Sequence, residues 1–306
     1  MNDHRKPVIG LALGSGSARG WAHIGVIRSL EELDIRPQIV CGTSIGALVG
    51  AAHVSGNLER LESWVSGLKI KDVIGYFDLT LNGGMIKGER LMDFFRRHLE
   101  DRAIGSLAQT YAAVATDLAT GREIWLRDGS LLDAVRASIA LPGLFTPALH
   151  NGRWLVDGGL VNPVPVSLAR ALGAEVVIAV DLNTNLVGRH LRTRTHPPTR
   201  NRPAVDSLAA ALMQRLQAGL EGLPLPWRES EEEPPSLFDT LATSINIMQV
   251  QISRSRLAGE PPDVLITPRL AHLGLLEFHR AREAITEGRR SVQAVQPLLR
   301  ELTLIA

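Results

Sequence analysis

The sequence predicts an α/β fold with a largely parallel central sheet. Up to about Leu182, short apolar runs alternate with patterns of helical spacing, which is typical of successive strand–helix units. The first run, 8–13, precedes apolar residues at helical intervals: Ala22, Val26, Leu30 and Leu33. A second run, 39–41, precedes a similar pattern: Ile45, Leu48, Val49 and Ala52. Two strand–helix units therefore open the chain.

The later elements follow from local patterns. Apolar runs at 112–116 and 123–126 flank a turn-like segment at 119–122 and predict a hairpin. Buried strands are predicted at 154–156 and 176–180, and a further strand at 263–267. After Ser236, a predicted N-cap, the apolar spacing predicts an amphipathic helix ending at Gly259: Leu241, Ile245, Met248 and Ile252. A closing helix is predicted over 277–299.

Length and composition fit one large α/β unit. The 306 residues, 45% hydrophobic and 21% charged, exclude collagen-like, coiled-coil and wholly disordered chains. We predict a core over 1–182 and a C-terminal helical part over 236–306 that completes the same domain. Between them, 183–235 holds seven of the 17 prolines, a basic run at 189–202 and an acidic run at 229–233. This composition predicts a flexible insertion, within which 208–223 could form a lid helix.

Charge and cysteine content exclude several classes of protein. A formal net charge of +1 gives no global electrostatic reason to bind nucleic acid. The single cysteine, Cys41, can form neither an internal disulfide nor a cysteine-rich metal site. We read no export signal and no membrane span, and expect a cytoplasmic protein. The basic run at 189–202 predicts at most a peripheral contact with anionic lipid headgroups, although a solvated linker is the simpler interpretation.

The strongest local motif is Gly42-Thr43-Ser44-Ile45-Gly46, which lies between a predicted strand and a predicted helix. It matches the nucleophile elbow, in which a tight turn presents a serine at the carboxyl edge of a sheet. The small flanking glycines, Gly42 and Gly46, let neighbouring backbone pass closely, and the helix N-terminus favours developing negative charge. The alternative is a chance match on a helix that a serine caps. The flanking strand and helix favour a nucleophilic Ser44.

A second motif is the loop Gly14-Ser15-Gly16-Ser17-Ala18-Arg19-Gly20, between the first strand and the first helix. One interpretation is dinucleotide binding, but the strict pattern needs glycine where Arg19 stands, and no convincing ribose-binding acid follows the second strand. The other is an oxyanion hole. In that case the N–H groups of Gly16 and Ser17 point at a tetrahedral intermediate on Ser44. This arrangement requires the strands that precede the loop and Ser44 to be parallel neighbours in the sheet.

A third motif, Asp157-Gly158-Gly159, follows the predicted strand at 154–156. Alone it is an ordinary turn. A nucleophilic serine needs a base, however, and none of the histidines that follow Asp157 has a strand-end context: His190, His196, His272 and His279. The elbow also comes earlier than in an α/β-hydrolase. A Ser–Asp dyad is therefore the better hypothesis.

These motifs occur in a fixed order with the block Ala137-Ser138 to Pro147 and with Asn162-Pro163. With this set the chain resembles the patatin-like phospholipases, and more narrowly the bacterial neuropathy-target-esterase type, the RssA-like proteins. The resemblance implies a three-layer α/β/α sandwich and hydrolysis of lipid acyl esters by a Ser–Asp dyad, without metal or cofactor. It implies Ser44 as nucleophile and Asp157 as base, with Gly158 and Gly159 completing the motif. It implies an oxyanion hole from five loop residues: Ser15, Gly16, Ser17, Ala18 and Arg19.

One departure from the family pattern bears on activity. The family loop is usually an almost unbroken run of glycines, and Ser15 and Ser17 replace two of them. Backbone N–H groups survive this change, but serine tolerates positive φ poorly, so we expect a differently shaped hole or low activity. Arg19 is most simply a structural clamp on the loop. The alternative function is a regulatory or scaffold protein on a hydrolase fold, and the sequence indicates neither acyl preference nor oligomeric state.

Overall fold

A computed structural model describes residues 6–76, 96, 101–184 and 237–304. The predicted lid helix, the basic run and the N-cap at Ser236 lie outside these residues. The predicted insertion begins within them, at Asn183 and Thr184. Both bond to Asp181, through Asn183 N (2.8 Å) and Thr184 Oγ1 (2.6 Å), so the described core extends to residue 184.

The strands lie close to the predicted positions. They are β1 (Ile9–Leu13), β2 (Ile39–Thr43), β3 (Thr110–Asp117), β4 (Glu123–Leu126), β5 (Ala148–His150), β6 (Arg153–Asp157), β7 (Val176–Val180) and β8 (Val264–Ile266). The predicted hairpin is confirmed as the antiparallel pair β3–β4. The short strand β5 was not predicted, because three residues carry too little pattern.

Among the described residues, four helices lie where the apolar spacing predicts them, and four more were not predicted. The helices are α1 (Ala22–Glu32), α2 (Ile45–Val54), α3 (Leu58–Gly67), α4 (Ile70–Tyr76), α5 (Leu131–Ser138), α6 (Val166–Ala171), α7 (Leu237–Gly259) and α8 (Ala281–Leu304). The predicted closing helix is divided into a short 3₁₀ turn, Phe278–Arg280, and α8. No helix among these described segments is long and apolar enough to cross a membrane.

The sheet is mixed and mostly parallel, in the order β5-β6-β3-β2-β1-β7-β8, with β4 also paired to β3. Strand β1 pairs in parallel with β2 and β7. Leu11 and Leu13 face a core shared with α1, α2, α5 and α8, while Ala12 and Cys41 face a smaller core shared with α6. Helices therefore cover both faces of the sheet, and the predicted α/β/α fold is confirmed.

Strand β3 brings the ends of two other strands together. Its residues 113–116 pair with β4 on one side, so β2 and β6 both lie on the other side. Strand β2 pairs with β3 as far as Val114, which lies opposite Thr43. At the next position of β3, Ala115 lies opposite Asp157, the last residue of β6. Because β2 and β6 run in opposite directions, their carboxyl ends meet head to head. Ser44 and Asp157 are the residues at this junction.

The chain's last helix packs on its first. A Cβ added to Gly25 of α1 would lie 2.0 Å from the carbonyl oxygen of Ile285, and one added to Gly288 of α8 would lie 2.1 Å from that of Ala22. The two backbones are therefore in direct contact at this crossing. Helix α8 contributes to the same core as β1 and β2.

Helix α2 approaches β1 closely at Gly46. A Cβ there would lie 2.2 Å from the carbonyl oxygen of Leu13, which is backbone and cannot move aside. We expect Gly46→Ala to lower the free energy of unfolding by at least about 2 kcal/mol. Gly67→Ala is the matched control, because nothing lies within 4 Å of its added Cβ. Denaturant titration of both variants is the measurement, and equal stabilities would contradict the close approach.

Candidate active site

Ser44 lies in the tight turn between β2 and α2. Its backbone has φ 58° and ψ −125°, a conformation that costs a non-glycine residue about 1–3 kcal/mol. Ser138 holds the turn in place. Its Oγ accepts a hydrogen bond from Ser44 N (2.9 Å) and donates one to the carbonyl oxygen of Val114 (2.6 Å). The predicted strained elbow is therefore present, supported by a serine from α5.

Asp157 ends β6 and is completely buried. Its Oδ2 accepts a hydrogen bond from Ser44 Oγ at 2.5 Å, and its Oδ1 accepts one from Gly159 N at 2.7 Å. A Cβ on Gly158 would lie 2.2 Å from the carbonyl oxygen of Val114, so the chain leaves β6 directly against β3. The structure thus joins two predicted site residues that lie 113 positions apart in the sequence.

Burial raises the pKa of Asp157 from 3.8 to about 6, while the hydrogen bonds from Ser44 and Gly159 lower it in part. The carboxyl group is therefore ionised at neutral pH. It is also a stronger base than a carboxylate in water. Both properties suit a group that accepts a proton from Ser44.

The loop after β1 has most of its N–H groups bonded within the protein. Ser15 N donates to the carbonyl oxygen of Pro163 (2.8 Å), Ala18 N to that of Leu275 (3.2 Å) and Arg19 N to that of Gly16 (3.2 Å). The N–H groups of three of the five residues predicted to form the oxyanion hole are therefore already engaged within the protein. Within the described chain, the N–H groups of Gly16 and Ser17 have no such partner.

Side-chain hydrogen bonds hold the two loop serines. Ser17 has φ 51°, in the left-handed region that favours glycine, and its Oγ donates to the carbonyl oxygen of Leu275 at 2.6 Å. Ser15 keeps an ordinary negative φ, and its Oγ donates to Gln249 Oε1 at 3.1 Å. The expected conflict with positive φ therefore arises only at Ser17, where a hydrogen bond offsets part of it.

Arg19 is buried beneath the loop. Its guanidinium donates to Asn183 Oδ1 at 3.3 Å and to Asn246 Oδ1 at 3.4 Å, and neither bond reaches Ser44. Burial lowers the pKa of Arg19 to about 10, and the charge of Asp181 opposes this shift. The side chain remains charged at neutral pH and links the loop to β7 and α7, as the predicted clamp would.

No histidine among the described residues lines the cleft at Ser44. His23 is buried on α1, where its Nε2 lies 2.8 Å from the carbonyl oxygen of Gly14, and burial lowers its pKa to about 4. His272 is exposed, and its Nε2 lies 2.6 Å from Glu283 Oε1. The described segments also contain no group of side chains that could hold a metal ion.

Ser44 opens into an apolar cleft of about 830 Å³, a volume that includes the part open to solvent. The loop residues Ser15, Gly16 and Ser17 form part of its wall, beside Ser44. The rest is mostly apolar and includes Trp21, Leu48, Ile139, Leu144, Phe145 and Leu275. Such a cleft suits a ligand with a long apolar portion and one polar reacting group.

Sequence reasoning missed the groups that support the site. Ser138 was noted only as part of a family block, and its contact with Ser44 spans 94 positions. Asn183 and Gln249 contact Ser15 across 168 and 234 positions. No local pattern connects residues so far apart, so only the folded chain reveals them.

With this geometry in view, comparison with known proteins identifies the family. The family model for patatin-like phospholipases matches residues 11–170, more than half of the chain. The chain belongs to the patatin-like phospholipase family. The wider resemblance stated from the motifs is therefore confirmed.

Individual proteins that are similar to this chain indicate the branch of the family. An NTE family protein of Mycobacterium tuberculosis is 34% identical over 92% of this chain and 89% of that protein. Patatin-like phospholipase domain-containing protein 6 of Mus musculus is 36% identical over 58% of this chain and 14% of that protein. Among solved structures, VipD from Legionella pneumophila matches 96% of this chain and 79% of that chain, with a TM-score of 0.45 and 13% identity. The neuropathy-target-esterase resemblance is confirmed, whereas the narrower RssA likeness stays a prediction.

The buried carboxylate predicts a pH-dependent gain in stability for Asp157→Asn. Between pH 3.8 and about 6 the folded state holds a proton that the unfolded state has lost, so the wild-type free energy of unfolding falls as the pH rises. An uncharged asparagine removes this loss. The stability of the variant relative to wild type should therefore be about 2 to 3 kcal/mol greater at pH 8 than at pH 4.

Denaturant titrations at the two pH values measure this difference. Asp128→Asn is the matched control, because Asp128 is exposed. If the difference in free energy of unfolding between Asp157→Asn and wild type were the same at pH 4 and pH 8, the pKa of Asp157 would not be raised by folding.

Proposed function

We propose that the protein is a serine esterase that hydrolyses lipid acyl esters with a Ser44–Asp157 dyad. The observation that carries this proposal is the 2.5 Å hydrogen bond from Ser44 Oγ to the buried Asp157, at the wall of an apolar cleft. Membership of the patatin-like phospholipase family supports hydrolase activity on lipids. The dyad, the reaction and the substrate class are our inference.

In the first step, Ser44 Oγ attacks the ester carbonyl carbon and its proton passes to Asp157 Oδ2. The carbonyl oxygen gains negative charge, which the N–H groups of Gly16 and Ser17 stabilise by hydrogen bonding. The tetrahedral intermediate then collapses. The bond to the leaving alcohol breaks, Asp157 returns the proton to the alcohol oxygen, and an acyl ester remains on Ser44.

In the second step, water takes the place of the alcohol. Asp157 accepts a proton from the water as its oxygen attacks the acyl carbon, and the same N–H groups stabilise the second oxyanion. Collapse breaks the bond to Ser44 Oγ, which recovers its proton from Asp157. The products are the free fatty acid and the restored enzyme.

The cleft supports a substrate with an apolar acyl chain. Its polar groups lie near Ser44 and the loop, while its remaining wall is aliphatic and aromatic. Burial of each methylene group against such a wall contributes about 0.8 kcal/mol. An acyl chain in this cleft would therefore gain binding energy with each methylene group that it buries.

Substitution of either dyad residue tests the proposal. We expect Ser44→Ala to lower kcat/KM for a short p-nitrophenyl ester by at least about a thousandfold. Asp157→Asn should lower it by about a hundredfold or more, because asparagine cannot accept the proton. Asp128→Asn, an exposed change of the same kind, should leave the rate unchanged.

Two outcomes would count against the dyad. Wild-type turnover in Ser44→Ala would favour the scaffold alternative. Labelling of Ser44 by a serine-directed phosphonate at the wild-type rate in Asp157→Asn would show that another group is the base.

The pH profile tests which group is the base. Because Asp157 must be ionised, and its pKa is about 6, kcat/KM should fall as the pH drops through about 6 and level off above it. Rates of p-nitrophenyl ester hydrolysis between pH 4.5 and 8 measure the profile, at wavelengths that do not depend on product ionisation. A rate that is constant down to pH 4.5 would contradict the proposed base.

A further inference from the structure

Three buried polar side chains at the loop take no direct part in the proposed chemistry. Ser15 belongs to the loop itself, Asn183 follows β7, and Gln249 lies on α7. Their exposed fractions are 1%, 0% and 5%. Asn183 Nδ2 donates to Ser15 O and to Ser15 Oγ, each at 3.1 Å. Gln249 Oε1 accepts from Ser15 Oγ at 3.1 Å and from Asn183 Nδ2 at 3.4 Å. The three side chains thus form one connected network.

The bond from Asn183 to Ser15 O acts on a single peptide unit. The carbonyl group of Ser15 and the N–H of Gly16 belong to the same planar trans peptide, so they point in opposite directions. Asn183 holds the carbonyl oxygen on the buried side. The N–H of Gly16 is thereby turned the other way, and Gly16 lines the cleft.

Gln249 connects the loop to the segment that carries the base. Its Nε2 lies 2.5 Å from the position that a Cβ on Gly159 would take, and Asp157 Oδ1 lies 3.0 Å from the same position. Gln249 Nε2 and Asp157 Oδ1 are therefore at most 5.5 Å apart. One amide side chain from α7 thus lies between the loop and the turn after β6.

Ser15 makes this connection possible. A glycine at position 15 would offer no hydroxyl group to Gln249. Ser15 N is also bonded, to the carbonyl oxygen of Pro163, so its backbone is held on both sides of the residue. In this chain a side-chain network supports a loop that glycines usually form.

We propose that Asn183 and Gln249 are positioning residues that orient the Ser15–Gly16 peptide, so that the N–H of Gly16 points at the developing oxyanion. The inference rests on the proposed function, since it assigns these residues a part in the same reaction. Neither side chain is hydrogen-bonded to Ser44, although Gln249 lines part of the cleft. Because both act on the N–H of Gly16, which stabilises charge that develops only in the transition state, we expect their effect in kcat rather than in KM.

A double-mutant cycle tests the network with a p-nitrophenyl ester. Gln249→Ala and Ser15→Ala should each lower kcat about tenfold with KM nearly unchanged, less than the hundredfold or more that loss of an oxyanion donor costs. The kcat of the double variant should also be about tenfold below wild type, because both changes break the same contact. Asn183→Ala should lower kcat at least as much as Gln249→Ala does, since it removes the hydrogen bond to Ser15 O.

Gln251→Ala is the matched control. Gln251 lies two positions along the same helix and is exposed, so its removal should leave kcat at the wild-type value. Thermal unfolding of each variant reports whether it is folded. If Gln249→Ala does not fold, Ser15→Ala carries the test, because it removes a single oxygen atom.

The outcomes separate this inference from the proposed function. Wild-type kcat in Gln249→Ala or Ser15→Ala, with Ser44→Ala inactive, would overturn the inference and leave the function intact. An increase in KM without a change in kcat would also overturn it. So would a double variant in which the two losses in kcat multiply, because the two changes would then act independently. Wild-type turnover in Ser44→Ala would instead overturn the proposed function itself.

Discussion

The head-to-head meeting of β2 and β6 along one side of β3 determines the rest of the site. Two strands that end at adjacent positions must both turn away at once. One does so through the strained backbone of Ser44, and the other through Gly158, which has no room for a side chain. The hydrogen bond between Ser44 and Asp157 is a direct result, because neither side chain needs a long reach to meet the other.

The groups of the proposed chemistry and the groups that support them come from different parts of the chain. Ser44, Asp157 and the loop at 14–20 lie within the segment that the family model matches. Two of the loop's supports, Gln249 and Leu275, lie well beyond it. The loop beside Ser44 thus depends on groups from the C-terminal part of the chain.

The fold and the candidate residues Ser44 and Asp157 could be identified from sequence because their signals are local. Alternating apolar runs gave β1, β2 and their helices, and short motifs identified Ser44 and Asp157. The N–H donors were only partly predictable. Whether Ala18 N is free depends on a bond to Leu275, 257 positions away, and that pairing exists only in the folded chain. The segment at 185–236 lies outside the described residues, so its predicted lid stays a prediction.

The hydrogen bond from Ser17 Oγ to the carbonyl oxygen of Leu275 has a consequence for the order of events during translation. The loop leaves the ribosome well before residue 275, because Ser17 and Leu275 lie 258 positions apart in the sequence. Until that carbonyl group emerges, Ser17 lacks the partner that offsets its left-handed backbone. A nascent chain that already contains Ser44 and Asp157 therefore still lacks the hydrogen bond that holds Ser17, and the loop can take its final shape only after residue 275 has been synthesised.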